Sequence, residues 1–591
     1  MSENSPAQTP STNETPSSQQ TNRRRLLTLG AGASVAALGL GGASRAKAAP
    51  AQRDHAAKSG GPAMRSPHKP DRRPYEAGTP PSVATIALSR LAFGPRPGEI
   101  AAFEALGGDD TSRLTAYVDQ QLNPAAIDDS DVDNRLATSG FTTLGKSLTQ
   151  LWADHEVGDY EIRSRPLWET DRATFLRAIF SKRQLFEVLV DFWHNHFSVN
   201  GGQWELIPVM VHYDRDVIRG NALGNFRQMV EDVTRSTSML FYLDNFLNSV
   251  DGPNENFARE LLELHTLGAD AYYGVIPQGS VPTDAQGNPL GFVDDDVFAA
   301  TKCLTGWSVR HRWWDPDIGD TGEFIYIDEE HDHSAKTFLG VNFPASQAPM
   351  KDGLDLLDLI ANHPATGRFI AAKLCRRLIG DGVPSSLINQ VGAFFTSQAA
   401  APDQIAQTVR MIVLSNEFRS TWGQKVKRPF EIITSTLRAM GTDFDVTFDS
   451  YYFDTFSWLF GQAGQYPFRW KPPNGYPDVS GAWLSASPRV QSWRVCNWFS
   501  DMDIDDQGTK LYDVMAQTPV GVRSASALAD YWIDRILSRP MHEADRAEIV
   551  AFMAQGRNPN FDLPLDTDDD AQDRLRTMVG LLTLTPDFLS R

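Results

Sequence analysis

The chain has 591 residues, and its 55 Lys and Arg against 74 Asp and Glu give a formal net charge of −19. A surface with this acidic excess repels phosphate backbones and anionic membranes, which argues against nucleic acid as a partner. The three cysteines, Cys303, Cys375 and Cys496, are too few for a disulfide framework, and their apolar surroundings predict buried free thiols.

Residues 1–48 have the features of an export signal. Arg23 and Arg24 stand before a modest apolar stretch at 26–40, and a small-x-small site follows at 46–48. Twin arginines before leucines are typical of Tat signals, so we predict Tat export to the periplasm, cell surface or extracellular space. A permanent anchor is the alternative, disfavoured because the stretch is short and weakly hydrophobic. No later run has the length of a membrane span, so none is expected after signal removal.

The rest of the chain is predicted to be a linker followed by a large all-α domain. Residues 49–80 are rich in Pro, Gly, Lys and Arg and predict a flexible linker. Residues 81–591 form either one domain or two packed subdomains. A long amphipathic helix is predicted from about residue 171 through Phe192. Further helices are predicted at 226–243, 254–267, 294–304, 353–361, 365–379, 405–414, 429–440, 488–499, 525–537 and 572–588.

Strand-like alternation is rare in this sequence. The clearest case is 323–327, which is predicted to pair with 337–339 as a minor β-hairpin. The expected fold is therefore a multi-helix assembly with a small β element.

Most side chains suited to chemistry fall in three short blocks. They are FWHNHF at 192–197, NENFARELLELHTLG at 254–268 and HDHSAKTFLG at 331–340. Their mixture of His, Asp and Glu is what metal ligation and proton transfer require. We expect the blocks to share a polar site, although capping or core packing offers a structural explanation for each residue taken singly.

The first block ends a helix on which Glu187, Asp191 and His194 are spaced i, i+4, i+7 and therefore share one face. His196 follows where this helix is expected to end. We predict that His194, His196 and His265 bind a divalent transition metal, because metal sites in bundle cores draw ligands from facing helices. In the alternative, His194 is a core imidazole whose hydrogen bonds are satisfied.

The second block places Glu260 and Glu263 on one stripe of a helix, and we predict both as catalytic acids or bases. Arg259, four residues before Glu263, offers the alternative of a surface ion pair. His265 also has an alternative role, as a cation in the last helical turn before Gly268.

The third block contributes His331, Asp332 and Lys336, which we also predict to be catalytic. A His beside a carboxylate and a Lys suits proton transfer or anion recognition. The alternative is a turn held by hydrogen bonds to the Asp332 side chain. The sequence leaves both open.

Two further stretches carry aromatic side chains that face either a ligand or the core. They are HRWW at 311–314 and PPNGYPD at 472–478. Both can line a carbohydrate groove, because the faces of sugars stack on aromatic rings. Packing in the core is the commoner use of such residues.

The chain resembles the exported bacterial family DUF1800 in blocks that occur in the same order: FWHNHFSV, RGNALGNFRQMV, MLFYLDN, NENFARELLELHTLGAD, LTGW, HDHSAKTFLG, KLCRRL, KRPFEII and PNGYPD. The resemblance runs from about Ala84 to the C-terminus and implies a mostly helical, often Tat-exported protein. It also makes a protein of a second exported family, DUF1501, a candidate partner. The family name denotes a domain of unknown function, so no reaction is implied. Cys303, where alanine is common, and the additional His333 depart from the family pattern.

Three functions are compatible with the sequence. The leading one is an exported, metal-assisted enzyme that acts on an extracellular or envelope polymer such as a polysaccharide. The second is a metal-free hydrolase or lyase in which Glu260 or Glu263 works with His265 or His331. The third is a non-enzymatic envelope scaffold or assembly partner. No GxSxG, P-loop, GxGxxG or CxxC pattern in a fitting context points to serine-hydrolase, nucleotide or thiol-redox chemistry.

Overall fold

The computed structural model describes residues 80–285, 287–311, 319–445 and 447–591. The chain divides into two units, Met1–Pro74 and Tyr75–Arg591, and every described residue belongs to the second. The predicted export signal and all but the last residue of the predicted linker lie outside the described residues. Arg312, Trp313 and Trp314 of the HRWW stretch also lie outside them.

Helices account for most of the described residues, which confirms the predicted all-α class. In the first part of the chain the α-helices span Val83–Arg90, Glu99–Glu104, Asp110–Gln121, Ser130–Thr138, Leu148–His155, Tyr160–Phe180, Gln184–His196, Met210–His212, Phe226–Arg235, Thr237–Tyr242, Asn256–Glu260 and Asp294–Cys303. In the second part they span Lys351–Ala361, Pro364–Leu378, Ser385–Ser397, Gln404–Val413, Asn416–Ser420, Pro429–Ala439, Tyr451–Gln462, Ser480–Trp483, Ala486–Phe499, Val514–Gln517, Ala525–Leu537, Glu543–Ala554, Asp569–Leu582 and Pro586–Leu589. Two π-helical segments, Tyr213–Arg219 and Leu261–His265, follow directly on α-helices.

Local sequence sets where several helices begin. The side chain of Ser147 accepts a hydrogen bond from the backbone N–H of Gln150, and the backbone N–H of Ser147 donates to the Gln150 side-chain oxygen. Asp109 accepts from two N–H groups of the helix that follows it. Pro364 and Pro429 occupy first helical positions, where a missing N–H costs nothing. Side-chain caps and a proline at the first helical position are features from which a helix start can be predicted.

The long helix predicted from about residue 171 is in fact two helices, Tyr160–Phe180 and Gln184–His196. Ser181 begins the break, and its hydroxyl donates to Asp129 at 2.6 Å. The next backbone N–H donates to the other oxygen of the same carboxylate at 2.7 Å. Asp129 lies 52 residues earlier in the chain, so local periodicity could not reveal that it stabilises the break.

The predicted helices at 226–243 and 572–588 are also each divided in two. The remaining predicted helices agree with the structure to within a few residues at either end. Hydrophobic periodicity therefore predicted where the helices lie but not where three of them are interrupted.

The small β element differs from the prediction. Trp307–Val309 pairs with Phe324–Tyr326, and Lys336–Phe338 pairs with Val341–Phe343, both antiparallel. The predicted strand at 323–327 exists, but its predicted pairing with 337–339 is wrong. Leu339 and Gly340 both have positive φ angles, 49° and 76°, which makes a tight two-residue hairpin turn. This turn gives the second strand pair a partner much nearer in sequence.

Two hydrophobic clusters fill the described unit, and the helix Gln184–His196, here called the site helix, contributes to both. Leu189 and Trp193 are buried in one cluster, and Val188 is buried in the other. Because two sides of the site helix are committed to apolar packing, Glu187, Asp191 and His194 lie at the seam between the clusters. The seam is where the candidate site lies.

Cys303, Cys375 and Cys496 are buried free thiols, as predicted. Burial raises the pKa of the Cys375 thiol to about 12 and that of the Cys496 thiol to about 11. Both therefore stay protonated and unreactive near neutral pH.

Within the described ranges, no helix combines the length and the apolar character that crossing a bilayer requires.

Candidate functional site

A cavity opens at the seam, between the polar face of the site helix and the loop that follows Gln465. About 60 Å³ of it is open to the centres of water molecules, which is room for several waters. Its lining residues are Phe93, Thr174, Ala178, Glu187, Val190, Asp191, His194, Asn195, Ser198, Val199, Arg219, Phe430, Gln465, Pro467, Phe468, Trp470 and Tyr476. Glu187, Asp191 and His194 all reach it, so the prediction that they share one helix face is confirmed.

Asp214 orients the imidazole of His194. Nε2 of His194 lies 2.9 Å from Oδ1 of Asp214, and Nε of Arg219 donates to both carboxylate oxygens at 3.1 and 2.9 Å. Burial raises the pKa of Asp214, but the charge of Arg219 and the hydrogen bond from His194 outweigh it, and the net pKa is lowered. An ionised Asp214 keeps the His194 proton on Nε2 and leaves Nδ1 as an acceptor. No described residue hydrogen-bonds Nδ1, and this atom is not among the buried ones.

Asp191 is anchored from the opposite side. Its Oδ2 accepts hydrogen bonds from Arg377 at 3.0 Å and from Arg428 at 2.5 Å. Both guanidinium groups also reach Glu431, at 2.5 and 3.3 Å. The Asp191 side chain stays 22 % exposed. Oδ1 accepts no hydrogen bond from any described residue and is not buried, and Asp191 lines the cavity.

Arg219 completes the polar wall. Its two terminal nitrogens donate to the two oxygens of Glu187 at 3.0 and 2.9 Å, while its Nε binds Asp214. The guanidinium therefore bridges the two carboxylates with paired, charge-assisted hydrogen bonds. This bridge fixes the position of Asp214, the residue that orients His194.

The PPNGYPD loop borders the cavity and binds the end of the site helix. The Asn195 amide donates to the carbonyl of Tyr476 at 2.8 Å, and the Tyr476 N–H donates back to the Asn195 side chain at 2.7 Å. Gly475 has φ +70°, and a Cβ atom there would overlap the carbonyl oxygen of Asn195. The Tyr476 and Trp470 rings lie 4.8 Å apart, and both line the cavity. Tyr476 of this loop lines the cavity, and the role of the loop in a carbohydrate groove stays a prediction.

His196 points away from this cavity, into a separate buried cluster with His265. Nδ1 of His196 accepts from Lys373 at 2.7 Å, and Nε2 donates to the carbonyl of His265 at 3.0 Å. Burial lowers the pKa of His196 well below its ordinary value and that of His265 to about 3, with the charge of Lys373 adding to both effects. Both imidazoles are thus neutral, and the alternative of His265 as a helix-end cation is wrong.

The three histidines predicted to bind metal do not meet. The rings of His196 and His265 are 6.0 Å apart, while His194 is bound to Asp214 on the cavity side. Across the described residues, no three or more His, Cys, Asp or Glu side chains are grouped so that they could hold a metal ion. The direction of His194 differs from that of His196 because residues two apart on a helix do not face the same way.

The two glutamates of the second block lie outside the cavity lining. Burial, with the neighbouring charge of Glu263, raises the pKa of the half-buried Glu260. Glu263 lies 3.5 Å from Arg259, which also reaches Glu255 at 3.3 Å. The ion pair with Arg259, named above as the structural alternative, is therefore present. A catalytic role for either glutamate stays a prediction.

His331 and Lys336 converge on a buried carboxylate, that of Asp352. Nζ of Lys336 lies 2.6 Å from Asp352 and 2.9 Å from the carbonyl of Ser334, and it also donates to the carbonyl of Asp332. Nε2 of His331 lies 3.2 Å from Asp352, and its Nδ1 lies 2.9 Å from the carbonyl of Thr305. This set is here called the Asp352 cluster. Its polar atoms are committed to one another rather than to a ligand.

Asp332 supports the turn, in agreement with the structural alternative. Its Oδ1 accepts from the backbone and side chain of Ser334, and its other oxygen lies 3.4 Å from Lys302. Burial raises the pKa of Asp332, but the Ser334 hydrogen bonds and Lys302 outweigh it, and the net pKa is lowered.

Four residues that hold the polar side chains of the cavity in place were not predicted from the sequence: Asp214, Arg219, Arg377 and Arg428. A signal was available, because Arg219 opens the RGNALGN block, Arg377 lies in KLCRRL and Arg428 in KRPFEII. Each of these blocks supplies a cation to a carboxylate of the site helix or its neighbour. Asp214 had no comparable signal.

A family model described as "Protein of unknown function (DUF1800)" matches residues 86–590. No curated protein and no solved structure matches the chain.

Proposed function

This chain belongs to the DUF1800 family, whose description names no reaction, and we propose that it is an acid–base hydrolase or lyase that works at the cavity beside His194. One observation carries the proposal. His194 lines the cavity and is held through Nε2 by Asp214 at 2.9 Å, while Nδ1 has no protein partner among the described residues and is not buried. An imidazole oriented by a carboxylate, with its second nitrogen free, is the usual arrangement of a general base.

In this proposal Nδ1 of His194 takes a proton from water or from a substrate hydroxyl and later returns it to the leaving group. Asp214 fixes the tautomer and balances the imidazolium that forms transiently. Arg219 keeps Asp214 ionised, so the proton stays on the imidazole and does not pass to the carboxylate. Asp191, three residues before His194, presents Oδ1 to the same space and can orient the reacting hydroxyl.

The surroundings of the cavity favour a polymer substrate. Trp470 and Tyr476 supply aromatic faces on which sugar rings stack, and the cavity is open rather than sealed. We therefore retain an extracellular or envelope polymer such as a polysaccharide as the proposed substrate. A non-enzymatic scaffold, with a DUF1501 protein as its partner, is the competing proposal.

The decisive experiment compares His194→Gln and Asp214→Asn with the unaltered protein. Each is incubated with a panel of envelope and extracellular polysaccharides, and new reducing ends and the ultraviolet absorbance of unsaturated products are recorded. Loss of a general base slows turnover roughly 10²- to 10⁴-fold, and we expect His194→Gln to fall in this range. His333→Gln is the control, since that side chain is 42 % exposed and lies outside the cavity lining.

A folded His194→Gln variant with the full rate would refute the assignment of the base. If the unaltered protein degrades none of the polymers, the scaffold proposal takes its place. That proposal is then tested by co-purification with an encoded DUF1501 neighbour.

We also propose that residues 1–48 direct export through the Tat pathway to the periplasm, cell surface or extracellular space. The motif that carries this is Arg23–Arg24 before the apolar stretch. Replacing both arginines with lysine should keep the protein in the cytoplasm, as measured by cell fractionation. Unchanged export would refute Tat dependence.

A further inference from the structure

The charged groups around the cavity differ in whether all of their polar atoms have partners within the protein. The cations that contact the carboxylates of the cavity are already paired: Arg219, which lines it, binds Glu187 and Asp214, while Arg377 and Arg428 bind Glu431 and the Oδ2 atom of Asp191. An anionic ligand would have to displace one of these internal carboxylates. Breaking a largely buried pair leaves an uncompensated charge and is strongly unfavourable.

The free polar atoms at the wall include both acceptors and donors. Oδ1 of Asp191 and Nδ1 of His194 accept, and neither is bonded by a described residue or buried. Oγ of Ser198 and Nε2 of Gln465 also line the cavity without a hydrogen bond from a described residue, and both can donate. Hydroxyl groups suit such a wall, because each one donates and accepts without carrying a charge. A carboxylate or phosphate on the ligand would instead meet the negative charge of Asp191.

The aromatic rings of the lining add a second requirement. Trp470 and Tyr476 both line the cavity, and the Trp470 indole is held in place by its hydrogen bond to Asn474 at 2.9 Å. A fixed indole offers an apolar face for stacking. A ligand that fits both sets of residues has hydroxyl groups along one edge and an apolar face.

We propose that this cavity selects an uncharged, hydroxyl-bearing ring, that is, a neutral sugar unit, and that Asp191 is the residue that determines this specificity. The inference rests on the proposed function and narrows it: acidic polymers such as uronates are rejected, and neutral glycans are accepted. The reaction is then hydrolysis and not elimination, because a lyase needs the acidic proton beside the carboxyl group of a uronate. Arg377 and Arg428 act as positioning residues, because they hold Oδ2 and turn Oδ1 towards the ligand.

Binding is measured by calorimetry, independently of turnover. The probes are neutral glucan and galactan oligosaccharides and an oligogalacturonate of the same length, each titrated into His194→Gln so that no degradation occurs. We expect at least one neutral oligosaccharide to bind tenfold or more tightly than the oligogalacturonate. Equal or tighter binding of the oligogalacturonate overturns the proposal, and so does failure of every neutral probe to bind.

Two substitutions test the role of Asp191 in the same background. Asp191→Asn leaves Arg377 and Arg428 with less compensation, so neutral binding should weaken roughly 10- to 100-fold and uronate binding should strengthen. An unchanged preference in this variant overturns the assignment to Asp191.

Trp470→Ala leaves the ion pairs intact and covers the case in which Asp191→Asn does not fold. It should weaken neutral binding, and unaltered affinity in this variant also counts against the proposal. His333→Gln serves as the control and should bind like the parent.

The experiments can refute the assignment of His194 as the base and the neutral-sugar specificity independently of each other. If His194→Gln retains full turnover but the neutral preference holds, the assignment of the base is refuted and the ligand class stands. If turnover is lost as expected but uronates bind better, the ligand class is refuted and the assignment of the base stands.

Discussion

The cavity beside His194 and the Asp352 cluster contain the same kinds of side chain and use them in opposite ways. At the cavity, His194 and Asp191 each have one polar atom that is hydrogen-bonded within the protein and one that is free. In the Asp352 cluster, Lys336 donates to three oxygens and His331 bonds through both nitrogens. A binding site differs from a structural network in keeping donor or acceptor atoms that form no hydrogen bond within the protein. The residue types in the two can be the same.

The difference has a physical basis in burial. The Lys336 side chain is 1 % exposed, so every donor must be satisfied internally or the cluster would be strongly destabilising. Asp191 is 22 % exposed, and water can bind its free oxygen until a ligand replaces it. Substitutions in the two regions should therefore affect different properties of the protein.

The largest effect on stability is expected in the Asp352 cluster. Lys336→Met removes the cation and leaves the Asp352 carboxylate buried with fewer partners, which should lower the free energy of unfolding by about 3–5 kcal/mol. Chemical denaturation measures this. The matched control is Lys351→Met, whose ammonium is 50 % exposed in its pair with Asp355 and should cost less than about 1 kcal/mol. Equal losses in the two variants would mean that the cluster is not a structural network.

The next effect is expected at the PPNGYPD loop that borders the cavity. Gly475→Ala forces a side chain into a positive-φ position against the Asn195 carbonyl, so we expect a loss of up to about 3 kcal/mol and a displaced Tyr476. Thermal unfolding and tryptophan fluorescence report the two changes. Gly481→Ala is the control, since a Cβ atom there would have no neighbour within 4 Å. A Gly475→Ala variant with parental stability and fluorescence would show that the loop tolerates the shift.

His265 offers a pH test of a third arrangement, an imidazole with both nitrogens buried and without a hydrogen-bond partner among the described residues. Its pKa is about 3 in the folded protein against an ordinary 6.5. The unfolded chain therefore binds more protons between these values, and stability is lost as the pH falls from 6.5 towards 3. At pH 5 the loss is about 2 kcal/mol relative to neutral pH.

His265→Leu removes this titration. Its free energy of unfolding should fall less than that of the parent between pH 7 and pH 5, by about 2 kcal/mol. Denaturation at the two pH values checks this. Identical pH dependence of the two proteins would show that His265 is not the group responsible.

The smallest effect is expected at Glu263. Its pair with Arg259 spans 3.5 Å, and both side chains are about a quarter exposed, so Glu263→Gln should change stability by less than about 1 kcal/mol. Turnover should be unaffected, because Glu263 lies outside the cavity lining. A large fall in turnover would instead support its predicted catalytic role.

Several elements of this protein could be predicted from short stretches of sequence. The helix at 525–537 was located to the residue, and the spacing of Glu187, Asp191 and His194 correctly placed them on one face. The break at Ser181 could not be predicted, since Asp129 stabilises it from 52 residues away. The pairing of the β strands failed for a different reason, because the turn at Leu339 and Gly340 carries no strong turn signal in its first residue.

The sequence by itself determined the helical class, most helix positions and the polar face of the site helix, because these depend on periodicity and capping over a few turns. Only the tertiary structure decided which polar atoms form hydrogen bonds within the protein and which remain free. Arg428 lies 237 residues from Asp191, Tyr476 lies 281 residues from Asn195, and His196 turns from the cavity towards Lys373, 177 residues away. Hydrogen-bond saturation is set by such distant partners, and it separates the cavity from the buried networks that share its residue types.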